Sequence, residues 1–92
     1  MLYPFMTFPD ETEIVHSGVL HQGEQELVKV CIEKPVIGGF HSATCWLPNY
    51  HWEDVKGFSD SEISAYQRLI EKMAHVIIEL ARDGGFEHAA DF

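Results

Sequence analysis

The chain has few basic side chains. Six lysines and arginines stand against fifteen aspartates and glutamates, which gives a formal net charge of −9 at neutral pH. No cluster of Lys and Arg interrupts the carboxylates, so phosphate backbones and anionic lipid headgroups would be repelled. We therefore expect no binding to nucleic acid or to a membrane surface. A charge of this sign is typical of a solvated acidic surface, and the alternative is a charge matched to a basic protein partner.

Cysteine is also scarce, since Cys31 and Cys45 are the only two and no C-x-x-C motif occurs. Two thiols in 92 residues do not make a disulfide framework. The histidine spacing does not favour zinc: His16 and His21 would point to opposite faces of one strand, and His41 lies ~13 Å from Cys45 along another. We expect no metal and no cofactor.

Long apolar runs are missing as well. Residues 73–81 form an apolar stretch that is interrupted by His75 and Glu79 and is far shorter than the ~20 residues of a membrane span. Residues 1–9 are apolar, but they lack a basic start and contain two prolines, which is not typical of a signal peptide. We expect a cytoplasmic protein.

Catalytic signatures are absent from the sequence, which has no G-x-S-x-G, P-loop or dinucleotide glycine pattern. The best available combination for nucleophilic catalysis is Cys45 as the nucleophile with His41 or His51 and Asp54. Because free cysteine is among the most frequently buried residue types, Cys45 is better interpreted as a small core residue. We predict no catalytic residue and expect a non-enzymatic protein.

The clearest positive signal is a helix over residues 60–82. Ser59 and Glu62 have the spacing of a capping box, in which each side chain accepts a hydrogen bond from the backbone amide of the other. Phe58 and Ile63 flank this box as a hydrophobic staple. The helix start is therefore strongly specified by local sequence.

This helix has a wide apolar surface and ends where two glycines follow Asp83. Apolar residues fill about half of its circumference, compared with the ~100° stripe of an ordinary surface helix. Ala65 and Val76 broaden one edge, and Ile78 sits apart on the polar flank. The surplus favours a subunit interface and hence a homodimer. The alternative is that residues 1–8 wrap over this flank.

The chain before the helix has the pattern of β-structure. Residues 1–8 are apolar and aromatic, but Pro4 lacks a backbone donor, which predicts an edge strand or an extended arm. Gly18 predicts a bulge within the next strand. The three further predicted strands span residues 13–21, 27–35 and 40–47.

The last two strands are expected to form a hairpin with a three-residue loop in which Val36 faces Phe40. Counting outward, this register places Cys31 opposite Cys45. It also predicts two unlike sheet faces. The apolar face would contain Val28, Val30, Ile32, Phe40 and Trp46, and the mixed face would contain Lys29, Cys31, Glu33, His41, Ala43, Cys45 and Leu47.

Residues 48–54 form a predicted loop that is unusually rich in large side chains. Binding residues are often found on such loops, but in so small a domain the favoured interpretation is that Tyr50 and Trp52 close one end of the core. Together with the helix flank, this loop defines the candidate interaction surface. Its members are Tyr50, His51, Trp52, Ala65, Val76 and Ile78.

These observations predict a single α+β domain over residues 1–92: an antiparallel sheet of three to four hairpin-connected strands, one long C-terminal helix packed across one face, and a tail at 86–92. For function, the sequence favours a small acidic module for protein interaction or regulation. One alternative is a small-molecule or enzymatic site between the mixed face and residues 50–54. A second alternative is an acidic inhibitor or antitoxin-like protein.

Overall fold

The structure, a computed structural model, describes residues 2–84 as an antiparallel sheet with one helix at its C-terminal end. The elements are β1 Leu2–Thr7, β2 Glu13–Ser17, β3 Leu20–Gln22, β4 Gln25–Val36, β5 Gly39–Leu47, β6 His51–Lys56 and α1 Asp60–Asp83. The strand order is β1-β2-β4-β5-β6, and β3 also pairs with β4. The predicted α+β class is confirmed, with six strands instead of three to four. The predicted tail at 86–92 lies outside the described residues.

Both ends of α1 agree with the sequence signals. The Glu62 amide donates to Ser59 Oγ at 3.1 Å, and the Ser59 amide donates to Glu62 Oε1 at 2.9 Å. The hydrogen bond from the Ser59 backbone is the main reason why the pKa of Glu62 lies below its ordinary value. At the other end Gly84 adopts φ 87° and its amide donates to the Leu80 carbonyl, so the helix ends one residue beyond the predicted boundary.

The hydrophobic core lies between α1 and one face of the sheet. The central strands β4 and β5 carry most of the buried sheet residues, and the helix contributes the other layer. Its principal members are Ile14, Val28, Val30, Ile32, Ala43, Cys45, Leu47, Ile70, Ile77 and Ala81. Every one of these residues is less than a tenth exposed, which is the packing expected of a single core.

The predicted register of the β4–β5 hairpin is wrong by one residue. Val36 pairs with Gly39 instead of Phe40, because Ile37 and Gly38 alone form the connection, with Gly38 at φ 88°. A slip of one residue exchanges the two faces of a strand. Ala43, Cys45 and Leu47 therefore join the core, whereas Phe40 is 64% exposed and Trp46 is half-buried on the opposite face.

This register also separates the two cysteines. Cys31 pairs with Thr44 and Cys45 pairs with Val30, so the two thiols point to opposite faces of the sheet. The expectation that the thiols face each other is wrong for the same reason: the loop has two residues, not three.

The predicted strand at 13–21 is divided at Gly18 into β2 and β3, which both pair with β4. Where the pairing of β2 and β3 with β4 is interrupted, the Lys29 amide donates a hydrogen bond to Ser17 Oγ at 2.9 Å. The Ser17 side chain thus takes the place of a backbone acceptor for this amide. Residues 2–7 form an edge strand paired with β2, which decides between the two alternatives for the N-terminal segment.

The predicted loop at 48–54 is partly a strand, because β6 begins at His51 and pairs with β5. Five of its six residues are exposed and only Trp52 is half-buried. An edge strand of this kind lacks the apolar alternation by which strands are recognised in sequence. This explains why the hydrophobic pattern does not predict it.

Candidate functional site: an open sheet face with two recesses

One face of the sheet is not covered by α1, the single helix in the described part of the chain. We call it the open face. The alternation along the paired strands assigns to it Glu13, Val15, Lys29, Cys31, Glu33, Phe40, Thr44, Trp46, His51 and Glu53. Two larger recesses lie at opposite ends of this face.

The first, the acidic recess, is an open cavity of about 510 Å³ lined by Thr7, Glu11, Glu13, Glu33, Pro35 and Phe40. Glu13 of β2 is directly opposite Glu33 of β4, and both side chains are exposed. Like charges in this arrangement repel each other and weaken the sheet. A smaller recess of about 200 Å³ adjoins the same two glutamates and adds Leu2 and Val15.

The turn beside the acidic recess is held by its own hydrogen bonds. Asp10 Oδ1 accepts from the Thr12 amide at 3.0 Å, and this bond is the main reason why the pKa of Asp10 is lowered. Lys34 Nζ lies 3.7 Å from Asp10 Oδ2. Since the nearby lysine pairs with Asp10, the described lining of the recess carries three carboxylates without a basic side chain.

The second, the tryptophan recess, is an open cavity of about 300 Å³ lined by Gln22, Leu27, Trp46, Asn49, His51 and Glu53. Trp46 and Glu53 belong to neighbouring strands, and Trp46 Nε1 donates a hydrogen bond to Glu53 Oε1. This bond holds a carboxylate beside the indole ring. The recess thus combines an aromatic surface, a fixed negative charge and two side-chain amides.

The six residues of the predicted interaction surface do not form one patch. His51 is exposed and lines the tryptophan recess, whereas Tyr50 and Trp52 pack against the core. Trp52 Nε1 donates to Gln67 Oε1 of α1 at 2.9 Å, which ties β6 to the helix.

The helical members of that surface are also dispersed. Ile78 packs against the core, Val76 is half-buried and Ala65 is exposed. Ala65 and Val76 lie ~16 Å apart along the helix axis at ~1.5 Å per residue. The sequence interpretation missed Phe40 and Trp46, which it assigned to the covered face. Only the observed β4–β5 register, with its two-residue connection, places these two side chains on the open face.

The structure does not bring together the candidate nucleophile arrangement of Cys45 with His41 or His51. Cys45 is fully buried in the core, while His51 lies on the open face and His41 packs edge-on against Phe58 with ring centroids 5.6 Å apart. Burial raises the pKa of Cys45 to about 11, so its reactive thiolate is suppressed at neutral pH. Among residues 2–84 no group of three or more His, Cys, Asp or Glu could hold a metal ion.

Burial of the Cys45 thiol should make the free energy of unfolding decrease at alkaline pH. A free thiol titrates at its ordinary value of 9.0 in the unfolded chain, but Cys45 in the fold remains protonated until about pH 11. We therefore expect the free energy of unfolding to fall between pH 9 and 11, because only the unfolded state gains from ionisation there. Urea titrations across this range should show a shallower decline for Cys45→Ala than for the wild type. An equal decline of the free energy of unfolding with pH in both proteins would contradict the raised pKa of Cys45.

Comparison with known proteins gives no match to a family model, a curated protein or a solved structure. Within residues 2–84 the one helix is not apolar enough over its length to cross a membrane.

Proposed function

We propose that this chain is a protein-interaction module whose open face binds a basic, partly apolar segment of a partner protein. The observation that carries the proposal is the pairing of Glu13 with Glu33 on the open face beside the exposed ring of Phe40. A cationic side chain placed between the two carboxylates would replace a repulsion by two attractions. Apolar atoms of the same segment would remove Phe40 from water.

The charge of the whole chain supports the same partner. A net charge of −9 attracts basic proteins over long range and raises their association rate at low ionic strength. An acidic inhibitor or antitoxin-like role is a special case of this proposal, in which the basic segment belongs to the inhibited protein.

The two sheet edges are less suited to partner binding than the open face. The β1 edge contains Pro4 and a register shift, and the β6 edge contains Asp54 at φ 54°. Proline, irregular backbone and charged residues are the usual means by which proteins prevent strand addition at a sheet edge. A partner segment is therefore expected to lie on the face.

The proposal is tested with two fluorescein-labelled hexapeptides, Lys-Leu-Lys-Lys-Leu-Lys and its Glu-Leu counterpart, by fluorescence anisotropy at low salt. We expect binding of the basic peptide only, with an affinity that falls as salt is added. Glu13→Gln with Glu33→Gln should weaken binding about tenfold, equivalent to ~1.4 kcal/mol. The same two substitutions should slightly raise thermal stability, because a like-charge pair is removed.

The matched control is Glu71→Gln with Glu79→Gln, which changes the net charge equally on the exposed side of α1. If this control weakens binding as much as the open-face pair does, the attraction is general and the proposal fails. Absence of binding by the basic peptide would also overturn it.

Self-association is the second candidate, because Val76 and Ala65 remain on the helix flank. With Ile78 packed on the core, this flank offers little of the ~800 Å² per subunit that a stable interface buries. Sedimentation equilibrium of the wild type and of Val76→Glu decides between self-association and binding of a separate partner. A dimer that Val76→Glu disrupts would favour self-association through the helix flank.

A further inference from the structure

We propose that the tryptophan recess is a pocket for an arginine side chain, supplied by the same partner segment whose basic residues bind the acidic recess. The inference rests on the proposed function for its partner. It adds a specific chemical group, the guanidinium, and a second contact point on the open face.

The chemistry of the recess matches a planar cation. Guanidinium groups stack on aromatic faces and bind carboxylates through two parallel hydrogen bonds, whereas a lysine ammonium is a compact, strongly hydrated point charge. Trp46 supplies the aromatic surface and Glu53 the carboxylate. The indole N–H occupies Glu53 Oε1, which leaves the second carboxylate oxygen and further lone pairs to accept from a ligand.

The remaining lining suits the rest of an arginine side chain. The amide oxygens of Gln22 and Asn49 can accept the outer guanidinium donors, and Leu27 can cover the methylene stem. A volume of about 300 Å³ is at the small end of ligand pockets, which is appropriate for one side chain.

Lys29 provides an internal competitor. It lies directly opposite Trp46 on β4, at the Cβ separation of ~5 Å that is typical of such pairs. Its side chain can therefore reach the indole ring in the free protein. Replacement of Lys29 by glutamine should strengthen arginine binding, because a neighbouring positive charge is removed.

The two recesses are spaced for one extended segment. Leu27 lines the tryptophan recess and Glu33 lines the acidic recess, six residues away on the same strand. At ~3.3 Å per residue this separation is ~20 Å. A partner in an extended conformation would carry its arginine about six residues from the basic residues that bind Glu13 and Glu33.

The first test uses N-acetyl-arginine methylamide, with the lysine and citrulline analogues as controls, in a ¹⁵N NMR titration. The two tryptophans give two indole N–H signals, and Trp52 serves as the internal control because it is bonded to Gln67 on the other side of the sheet. We expect the arginine probe to shift the Trp46 signal with a millimolar dissociation constant, as its size implies. Glu53→Gln, which keeps an acceptor for Trp46 but removes the charge, should weaken this binding about fivefold or more. Lysine binding equal to arginine, equal binding of neutral citrulline, or an unmoved Trp46 signal would each overturn the inference.

The second test joins the two contact points in one peptide. An arginine is placed six residues from the Lys-Leu hexapeptide and compared with the same peptide carrying citrulline. We expect at least about tenfold tighter binding with arginine, since the second contact becomes intramolecular. If both peptides bind equally and still depend on Glu13 and Glu33, the inference fails while the proposed function stands. If neither binds, the proposed function fails, and the small-probe titration still decides whether the recess accepts a guanidinium.

Discussion

Replacing Gly57 by alanine is expected to cost about 3 kcal/mol or more of the free energy of unfolding, which is in the range of severe single substitutions. Gly57 connects β6 to α1 and adopts φ +87°, a conformation that costs an L-residue ~1–2 kcal/mol. An added Cβ would also overlap the imidazole ring of His41, at 2.5 Å from Cγ and 2.7 Å from Nε2.

The imidazole has little room to move away. Its Nδ1 atom is buried, and the ring packs edge-on against Phe58, which is 8% exposed. Phe58 in turn contacts Tyr66 at a centroid distance of 5.3 Å. A displaced His41 would therefore disturb the aromatic cluster that joins β5 to the first turns of α1, and packed aromatic clusters tolerate such shifts poorly.

A matched control separates backbone strain from overlap. Gly38 has φ +88°, but no atom of residues 2–84 lies within 4 Å of an added Cβ, so Gly38→Ala should lose only the ~1–2 kcal/mol of strain. Adding His41→Ala to Gly57→Ala should recover part of the difference, as a double-mutant cycle would show. Urea denaturation of Gly57→Ala, His41→Ala, their double variant and Gly38→Ala gives the comparison. Equal losses for Gly57→Ala and Gly38→Ala would mean that the His41 ring shifts without cost.

Local signals in the sequence were sufficient to predict the helix and its ends. Ser59, Glu62 and Gly84 act on backbone groups within a few residues, so their hydrogen bonds do not depend on the rest of the fold. The order of β-strands followed by one helix likewise predicted the α+β class.

The orientation of β5 could not be predicted in the same way, because both of its faces carry apolar residues. Phe40 and Trp46 are the larger side chains, and they suggest burial by size alone. The structure instead places small residues, Ala43 and Cys45, opposite the helix. Small sheet residues leave space for the branched side chains that α1 inserts, and this complementarity across layers is not visible in a single strand.

The candidate site could not be predicted either, because it depends on how the strands pair. Glu13 and Glu33 lie far apart in sequence, and only the β2–β4 register makes them direct neighbours. The tryptophan recess requires β6, an exposed edge strand without apolar alternation. The loop-like context of His51 predicts a binding residue, but its neighbours in the recess come from β3, β4, β5, β6 and the turn before β6.

Ile77→Ala is expected to reduce the free energy of unfolding by ~2–5 kcal/mol, as for other large-to-small substitutions in a packed core. Ile77 is 1% exposed and belongs to the single core cluster that α1 forms with the sheet. A packed core relaxes only partly around a deleted side chain, so a cavity should remain where the Ile77 side chain is removed.

Val76→Ala is the matched control, since Val76 is the preceding residue of the same helix and is only half-buried on its flank. Its loss should be below ~1 kcal/mol, because alanine partly compensates by its higher helix propensity. In thermal denaturation the Ile77 variant should melt at least ~8 °C below the wild type, given ~4–8 °C per kcal/mol in a domain of this size. If Val76→Ala destabilised the protein as much as Ile77→Ala, the helix flank would itself be covered by a packed layer, and the sheet would not be the main support of α1.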